Sequence, residues 1–206
     1  EAIHAVDETI PVKAITAYVY EEFLQNLNKD FAKREGLLFV GGFAHPPNAD
    51  AVLWFAKEVF PKIREQIKVN FYIVGSKVTD EIKALEQPGN GIIVKGFVSE
   101  EELADLYRNC RIVVVPLRYG AGVKGKVVEA IYNGAPIVTT SVGSEGIPDG
   151  EKVLLVKDQP DEFAETVVEL YKDEKRLEDL AEKTQVYIRE HFSIDAAWDV
   201  IKEDFE

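Results

Sequence analysis

Along the chain, short apolar runs rich in β-branched residues alternate with longer stretches in which apolar side chains recur every three or four positions. Strands buried on both faces read as continuous apolar runs, so the alternation predicts an α/β fold in which helices cover both faces of a parallel sheet. Six strands are expected: Leu37–Val40, Phe71–Val74, Ile92–Val94, Ile112–Val115, Ile137–Thr140 and Val153–Val156. After the first strand, Val52, Phe55, Ala56, Val59 and Ile63 follow the helical period, with Asn48 as the expected N-cap and Pro61 as the expected site of a kink or restart. Ser99-Glu100-Glu101-Glu102 reads as a capping box opening a helix over Glu100–Asn109. A helix over Val123–Tyr132 is expected to stop at Asn133-Gly134, and three more, about Asp161–Tyr171, Glu174–Arg189 and Ser193–Glu203, follow the last strand. Residues 1–35 stand apart as an entry segment, with a short strand expected over Ala14–Tyr20 and a charged helix over Glu21–Lys33; the α/β unit is expected over 36–206.

Composition narrows the function classes. The 206 residues are 46% hydrophobic and 30% charged, the ordinary globular range. No run approaches the roughly 18 apolar residues of a membrane span, and the first twenty residues lack a basic stretch followed by an apolar one, so the chain reads as cytoplasmic. The single cysteine, Cys110, is expected to be a buried small hydrophobe. Methionine is absent even from the first position, which implies a piece of a longer product. With 24 Lys and Arg against 37 Asp and Glu, net −13, most of the surface repels nucleic acid and anionic membrane, so an anionic ligand must be held locally. One window departs from that mean: between Arg111 and Val128 there is no acid, while Arg111, Arg118, Lys124 and Lys126 are cationic, which marks a candidate anion site.

The strand Ile112–Val115 runs through Pro116 into Leu117-Arg118-Tyr119-Gly120-Ala121-Gly122-Val123-Lys124-Gly125-Lys126 and then into a helix. A strand end, a glycine-rich turn and a helix N-terminus in that order suit phosphate: glycines admit the anion to the backbone, and the orphan N–H groups and helix dipole face it. The alternative is a solvated loop before an ordinary helix. Glu129, three residues after Lys126 and so on the same helical face, also has two readings: a carboxylate gripping ribose hydroxyls while the lysine meets the diphosphate, or an intrahelical ion pair worth a few tenths of a kcal/mol. Gly120, Gly122 and Gly125 spell G-x-G-x-x-G, but three strands precede the one that leads into it and the next strand closes on Thr140-Ser141, so a dinucleotide-dependent dehydrogenase is the weaker reading. His45 is either a phosphate donor or a plain loop residue, and Glu145 either a ligand contact or a cap. His4 and His191 lack partners at metal-ligand spacing and no Asp-x-Asp motif occurs, so no metal site is expected. Trp54 and Trp198 read as core or interface anchors.

Gly120-Ala-Gly-Val-Lys-Gly-Lys-Val-Val-Glu-Ala, Gly134-Ala-Pro-Ile-Val-Thr-Thr and Gly143-Ser-Glu-Gly-Ile resemble the C-terminal signature of group 1 glycosyltransferases, that is, glycosyltransferase family 4. Phe39-Val-Gly-Gly-Phe-Ala-His-Pro-Pro-Asn-Ala-Asp-Ala-Val-Leu-Trp-Phe, Tyr72-Ile-Val-Gly, Gly96-Phe-Val and Val115-Pro-Leu-Arg-Tyr are similar to the same group in the same order. The resemblance covers roughly Leu37 to Phe192, and Pro116 to Gly146 is its specific part. It implies the Rossmann-like C-terminal half of the two-domain GT-B fold. It further implies a nucleotide diphosphate sugar as substrate, such as a UDP- or GDP-sugar, no metal or other cofactor, and sugar transfer with retained anomeric configuration.

Carried over position by position, Glu129 matches the second glutamate of the family's Glu-x7-Glu element and would hold the ribose, whereas Ala121 stands where the first is expected. That leaves the amides of Gly122 and Val123 to serve the donor sugar. The family's Arg and Lys after the first strand are absent from Gly41-Gly42-Phe43-Ala44-His45, where Gly42 and His45 remain candidates, and Lys126, with Lys124 and Arg118, is expected to supply the charge instead. Backbone groups at Phe97 and Val98 would meet the base. A glycan or other acceptor would be bound mainly by an N-terminal domain outside this chain, so the chain is expected to bind donor yet transfer little alone. Two alternatives stay open: a non-catalytic sugar-nucleotide-binding or assembly module of a larger glycan-synthesis protein, which Ala121 would permit, and a nucleotide-sugar epimerase on the same architecture.

Overall fold

The computed structural model describes residues 6, 7, 9, 10 and 12–205. Six strands, β1 (Leu37–Val40), β2 (Phe71–Val74), β3 (Ile92–Gly96), β4 (Ile112–Val115), β5 (Ile137–Thr139) and β6 (Leu154–Val156), form one sheet in the order β3-β2-β1-β4-β5-β6, and every neighbouring pair is parallel. The expected Rossmann-like α/β sheet is therefore present, with β3 two residues longer and β5 and β6 one residue shorter than expected. Helices cover both faces: α1 (Pro46–Trp54), α2 (Phe60–Arg64), α3 (Asp80–Lys83), α4 (Glu100–Asn109), α5 (Gly125–Tyr132), α6 (Ser141–Ser144), α7 (Pro160–Lys172), α8 (Glu174–Phe192) and α9 (Ile194–Ile201). β4 is buried along its whole length, as its unbroken apolar run requires.

On one face the core is aromatic. Phe55 lies 4.7 Å from Phe71 and 5.7 Å from Phe163, joining the α1–α2 region, β2 and α7. Burying side chains of this size stabilises the fold by about 1.5–3 kcal/mol each. Trp54 meets Phe163 edge-on at 6.3 Å, whereas Trp198 stacks on Phe205 and stays 49% exposed. Cys110 is buried, and burial pushes its thiol up to about 12.

The restart expected at Pro61 is present, whereas other local expectations need correction. The helix after β1 widens into a π stretch over Phe55–Val59, where the Phe60 N–H donates to the Phe55 carbonyl, and α2 begins anew at Phe60 with Pro61 in its first turn. A proline lacks the N–H for the usual bond and its ring collides with the carbonyl four residues back, and one wide turn just upstream relieves both. Asn48 is not the N-cap: His45 occupies that position, Pro46 and Pro47 open the helix, and Asn48 is buried. Half of the capping box forms, since Ser99 accepts from the Glu102 N–H while the Glu102 carboxylate pairs with Lys95 instead. α5 begins at Gly125 rather than Val123, with Lys124 as its N-cap.

The entry segment departs most. No strand forms over Ala14–Tyr20, where a single bridge joins Tyr20 to Ser193, and no helix forms over Glu21–Lys33. Phe23, Leu27 and Phe31 carry a helical spacing, but carbonyls that a helix would use are taken by arginine side chains, two from the α/β unit and one, Arg34, from the end of the segment itself. Arg189 donates to Leu24, Arg34 to Asn28, and Arg111 to Phe31. The Asn28 side chain adds a local turn by accepting from the Asp30 N–H. Two buried guanidiniums anchor this arrangement. Arg34 donates to Cys110 (2.8 Å) and Tyr107 (2.7 Å) while lying over the Phe31 ring, and Arg111 lies over the Tyr171 ring.

Arg34→Met should therefore cost about 2–4 kcal/mol, because it strands two buried carbonyls, and should speed proteolysis within residues 21–33. Arg108→Met, at an exposed arginine paired with Asp105, should cost well under about 1 kcal/mol. Denaturant melts of the two variants check this; equal costs would show that the buried arginine is not an anchor.

Candidate functional site

In a doubly wound sheet, ligands bind beyond the carboxyl ends of the strands where the strand order reverses. Here that point is β1 beside β4. The two strands pair only through Leu37–Ile112 and Leu38–Val113, so they part company before their carboxyl ends. The loop after β1 carries Gly41, Gly42 and His45; the loop after β4 carries Arg118, Gly122, Val123 and Lys124 and delivers Lys126 in the first turn of α5. Sequence-distant candidates thus meet across one crevice.

Threonines from the next strand hold the β4 loop. Thr139 donates to the Val115 carbonyl at 2.9 Å, and Thr140 donates to the Leu117 carbonyl while capping α6. Gly122 adopts φ +75° with open space on the side where a Cβ would stand, so it is the backbone conformation that asks for glycine there. Across the crevice, a side chain on Gly75 would run into the Gly41 carbonyl, so the ends of β1 and β2 approach closely.

Lys126 is the central side chain. Its stem passes Gly41, where an added Cβ would stand 3.1 Å from Cε, and its ammonium donates to Asn48 Oδ1 and sits 5.2 Å from the Phe39 ring centroid. Among the described residues no carboxylate pairs with it. Burial, and secondarily the charge of Lys124, lower its pKa to about 8. Asn48 is itself fixed, donating to the Gly42 carbonyl at 2.7 Å. A half-buried cation facing an amide oxygen and an aromatic face, with no carboxylate beside it, can accept an anion as partner.

The other expected cations differ in kind. Arg118 forms a two-pronged pair with Asp50 of α1, Nε to Oδ2 at 2.9 Å, which raises its pKa. Lys124 donates to the Gly122 carbonyl and pairs with Glu145 at 3.0 Å, its side chain largely covered. Arg111 lies at the opposite, amino end of β4 within the entry-segment anchor, so it leaves the anion window altogether. The window that is acid-free in sequence receives Asp50 and Glu145 in space.

Glu129 forms no ion pair with Lys126, which disposes of the intrahelical pair. Three residues separate their directions by some 60° around the helix. Lys126 turns toward β1 and Glu129 toward Tyr107 and Tyr20. Burial raises the Glu129 carboxyl, partly offset by the Tyr107 hydroxyl; that hydroxyl is itself buried and lacks a hydrogen bond of good geometry. His45 is exposed at the α1 N-terminus, and Phe97, 83% exposed, and Val98 follow β3 on the same sheet edge, two strands from the crevice. His4 lies outside the described residues. Among the described residues no cluster of three or more His, Cys, Asp or Glu is placed to hold a metal ion, and no helix is long and apolar enough to cross a membrane. Sequence reasoning missed Asn48 as the Lys126 partner, Asp50, Thr139 and the tyrosines around Glu129; only Thr139-Thr140 carried a signal, as part of the Gly134 stretch.

The fold recurs in known proteins. The chain is 29% identical over 184 residues to an uncharacterized 44.6 kDa protein in the cps region of Klebsiella pneumoniae, a match that covers 85% of this chain and 45% of that protein. S. aureus TarM, solved with fondaparinux, alpha-GlcNAc-glycerol and UDP, superposes with TM-score 0.76 at 15% identity over 100% of this chain and 41% of TarM. Anabaena HepE, solved with UDP and glucose, gives TM-score 0.64 at 16% identity over 85% of this chain and 49% of HepE. At such identities the structures speak for the fold, that of one half of GT-B glycosyltransferases. The chain spans under half the length of each of these proteins. The family model of glycosyl transferases group 1 matches residues 34–173, from the entry-segment anchor through α7, and the chain belongs to that family.

Proposed function

We propose that this chain is the donor-binding half of a retaining, family 4-like glycosyltransferase that takes its sugar from a nucleotide diphosphate sugar without a metal ion. The observation that carries the reading is the Lys126 ammonium, half-buried without a carboxylate partner at the switch-point crevice beside the amino end of α5. As the glycosidic bond to the leaving diphosphate breaks, negative charge grows on the phosphate oxygens. A desolvated ammonium and helix N–H groups already in place stabilise that charge without reorganisation. Glu129 then holds the ribose, the amides of Gly122 and Val123 face the sugar, and the backbone at Phe97 and Val98 meets the base. The UDP held by TarM and HepE favours a UDP-sugar over a GDP-sugar. The acceptor, a glycan in polysaccharide synthesis, belongs to a domain beyond this chain, in keeping with relatives about twice its length. A cytoplasmic setting suits such a donor.

One observation favours a second reading, a non-catalytic sugar-nucleotide-binding module: Ala121 is exposed and supplies no carboxylate, and Lys124 is neutralised by Glu145. Coexpression with the N-terminal half discriminates, since only the enzyme then hydrolyses or transfers the donor.

UDP at a hundredfold excess over Kd should stabilise the chain by about 2.7 kcal/mol, with or without chelator. Thermal melts check this; a shift that chelator abolishes would refute the metal-free reading.

Lys126 titrates below its ordinary 10.5, so the unfolded chain binds more protons between about pH 8 and 10.5 and stability should rise across that window. Lys126→Met should lack the rise and be more stable near pH 7 by up to roughly 3 kcal/mol. It should also bind UDP far more weakly while binding uridine as the parent does. UDP binding at pH 8–9 should take up a proton, seen as a dependence of the calorimetric heat on buffer ionisation enthalpy. No uptake would place the phosphates away from this ammonium.

The Glu129 carboxyl is raised, so its contribution falls as pH climbs through its folded pKa, and Glu129→Gln should stabilise the fold at neutral pH. Affinity for a ribonucleotide should drop by about 1 kcal/mol or more, and less for the 2′-deoxynucleotide. Identical losses by titration calorimetry would remove Glu129 from the ribose.

A further inference from the structure

The outer side of α5 is covered by the entry segment. Thr16, Tyr18 and Tyr20 turn inward and are half-buried, while Ala17 and Val19 are exposed, the two-residue alternation of an extended chain. Tyr20 stacks on Tyr132 with ring centroids 4.3 Å apart, and its N–H donates to the Phe192 carbonyl at 2.8 Å. Burial, then the Glu129 charge, push its hydroxyl up to about 12. Tyr18 lies on Gly125, the first residue of α5: a Cβ there would stand 2.7 Å from Tyr18 Oη and 3.1 Å from Cε1 and Cζ. Gly125 is not among the glycines at positive φ, so the backbone alone does not demand glycine at this position. A side chain there would instead displace the outer end of the Tyr18 ring.

Around α5 there are therefore three phenols whose hydroxyls have no hydrogen-bond partner of good geometry among the described residues. Tyr107 Oη is fully buried beside Glu129, Tyr20 lies near the same carboxylate, and Tyr18 Oη is at the helix's amino end, where N-cap Lys124 contributes no side-chain bond. Of the three only Tyr107 Oη is fully buried; those of the half-buried Tyr18 and Tyr20 are open to water or to a polar ligand.

We propose that the entry segment is a wall of the donor site, and that Tyr18 donates its hydroxyl to the diphosphate held at the amino end of α5. The proposal rests on the donor reading given above and adds a binding residue from outside the α/β unit. Gly125 is then kept bare so that a phenol, rather than a methyl group, stands beside the anion. The consequence is mechanical as well as chemical. Among the described residues the backbone between 12 and 20 is joined to the α/β unit at Tyr20 alone, with Lys13 paired to Asp204 through its side chain, so a diphosphate bonded by Tyr18 adds a tie to the segment when donor is present.

The test compares the 206-residue chain with Tyr18→Phe, which keeps the ring on Gly125 and loses only the hydroxyl. Tyr18→Phe should bind UDP about tenfold more weakly, as expected for one hydrogen bond to a charged group, and bind uridine unchanged, with an unaltered melting temperature in the absence of ligand. Gly125→Ala, which pushes the ring off the helix, should lose at least as much UDP affinity. In the parent chain UDP should slow amide hydrogen exchange in residues 16–20, and in Tyr18→Phe this protection should be largely lost. If the parent binds UDP and Tyr18→Phe binds it equally well, with equal protection, Tyr18 is a packing residue and the proposal falls while the donor reading stands. If the parent binds neither UDP nor GDP, the donor reading itself falls and takes the proposal with it.

Discussion

The short ladder between β1 and β4 is the constraint on which the site depends. These two strands pair over two residues, against four between β1 and β2, and the chain leaves them toward opposite sides of the sheet. A parallel sheet with all strands in full register would close its edge with backbone. Here the early parting leaves a crevice into which the loops after both strands drop, and the first turn of α5 reaches across it to α1 through Lys126 and Asn48. The glycine contact between Gly41 and Gly75 and the threonine hydroxyls under Val115 and Leu117 keep the crevice walls in place without filling it.

What lines that crevice is costly to the fold. Lys126 and Glu129 are both drawn out of water on one helix, and burial moves each toward its neutral form: the ammonium down, the carboxyl up. They do not compensate one another, because the helix turns them toward different neighbours. A protein under no demand but stability would pair them or replace them with apolar residues. A cation without a carboxylate partner at the switch-point crevice is what marks that crevice as a candidate site.

The surrounding ion pairs set the balance of charge. Arg118 with Asp50 and Lys124 with Glu145 are partly exposed pairs of modest energetic worth, but they subtract two cations from the loop and leave Lys126 without an acidic partner among the described residues. The same pairs stitch the β4 loop to α1 on one side and to the turn after α6 on the other, so the backbone amides of Gly122 and Val123 are presented from a loop tied at both ends. In a chain of net charge −13 this confines positive potential to one small place.

The order and nearly all the bounds of the six strands, the α4 cap, the glycine stop after α5 and the family were legible in the sequence, because burial on both faces writes itself as apolar runs and local caps depend on residues three apart. The glycine-rich loop between β4 and α5 was legible too, since strand end, glycines and helix start are consecutive. Tertiary structure alone decided what each charge faces. The sequence shows Lys126 three residues from Glu129 and Arg118 in an acid-free stretch; only the fold brings Asn48, Asp50 and Glu145 from positions far along the chain to turn one cation into the site's centre and the others into pairs. The entry segment tells the same lesson from the other side. Its helical spacing is real, but helix formation gains little for a single isolated segment, and the carbonyls of Leu24 and Phe31 go to Arg189 and Arg111 from elsewhere in the fold rather than to their own helix. Local pattern sets what a segment can form; long-range partners set what it does form.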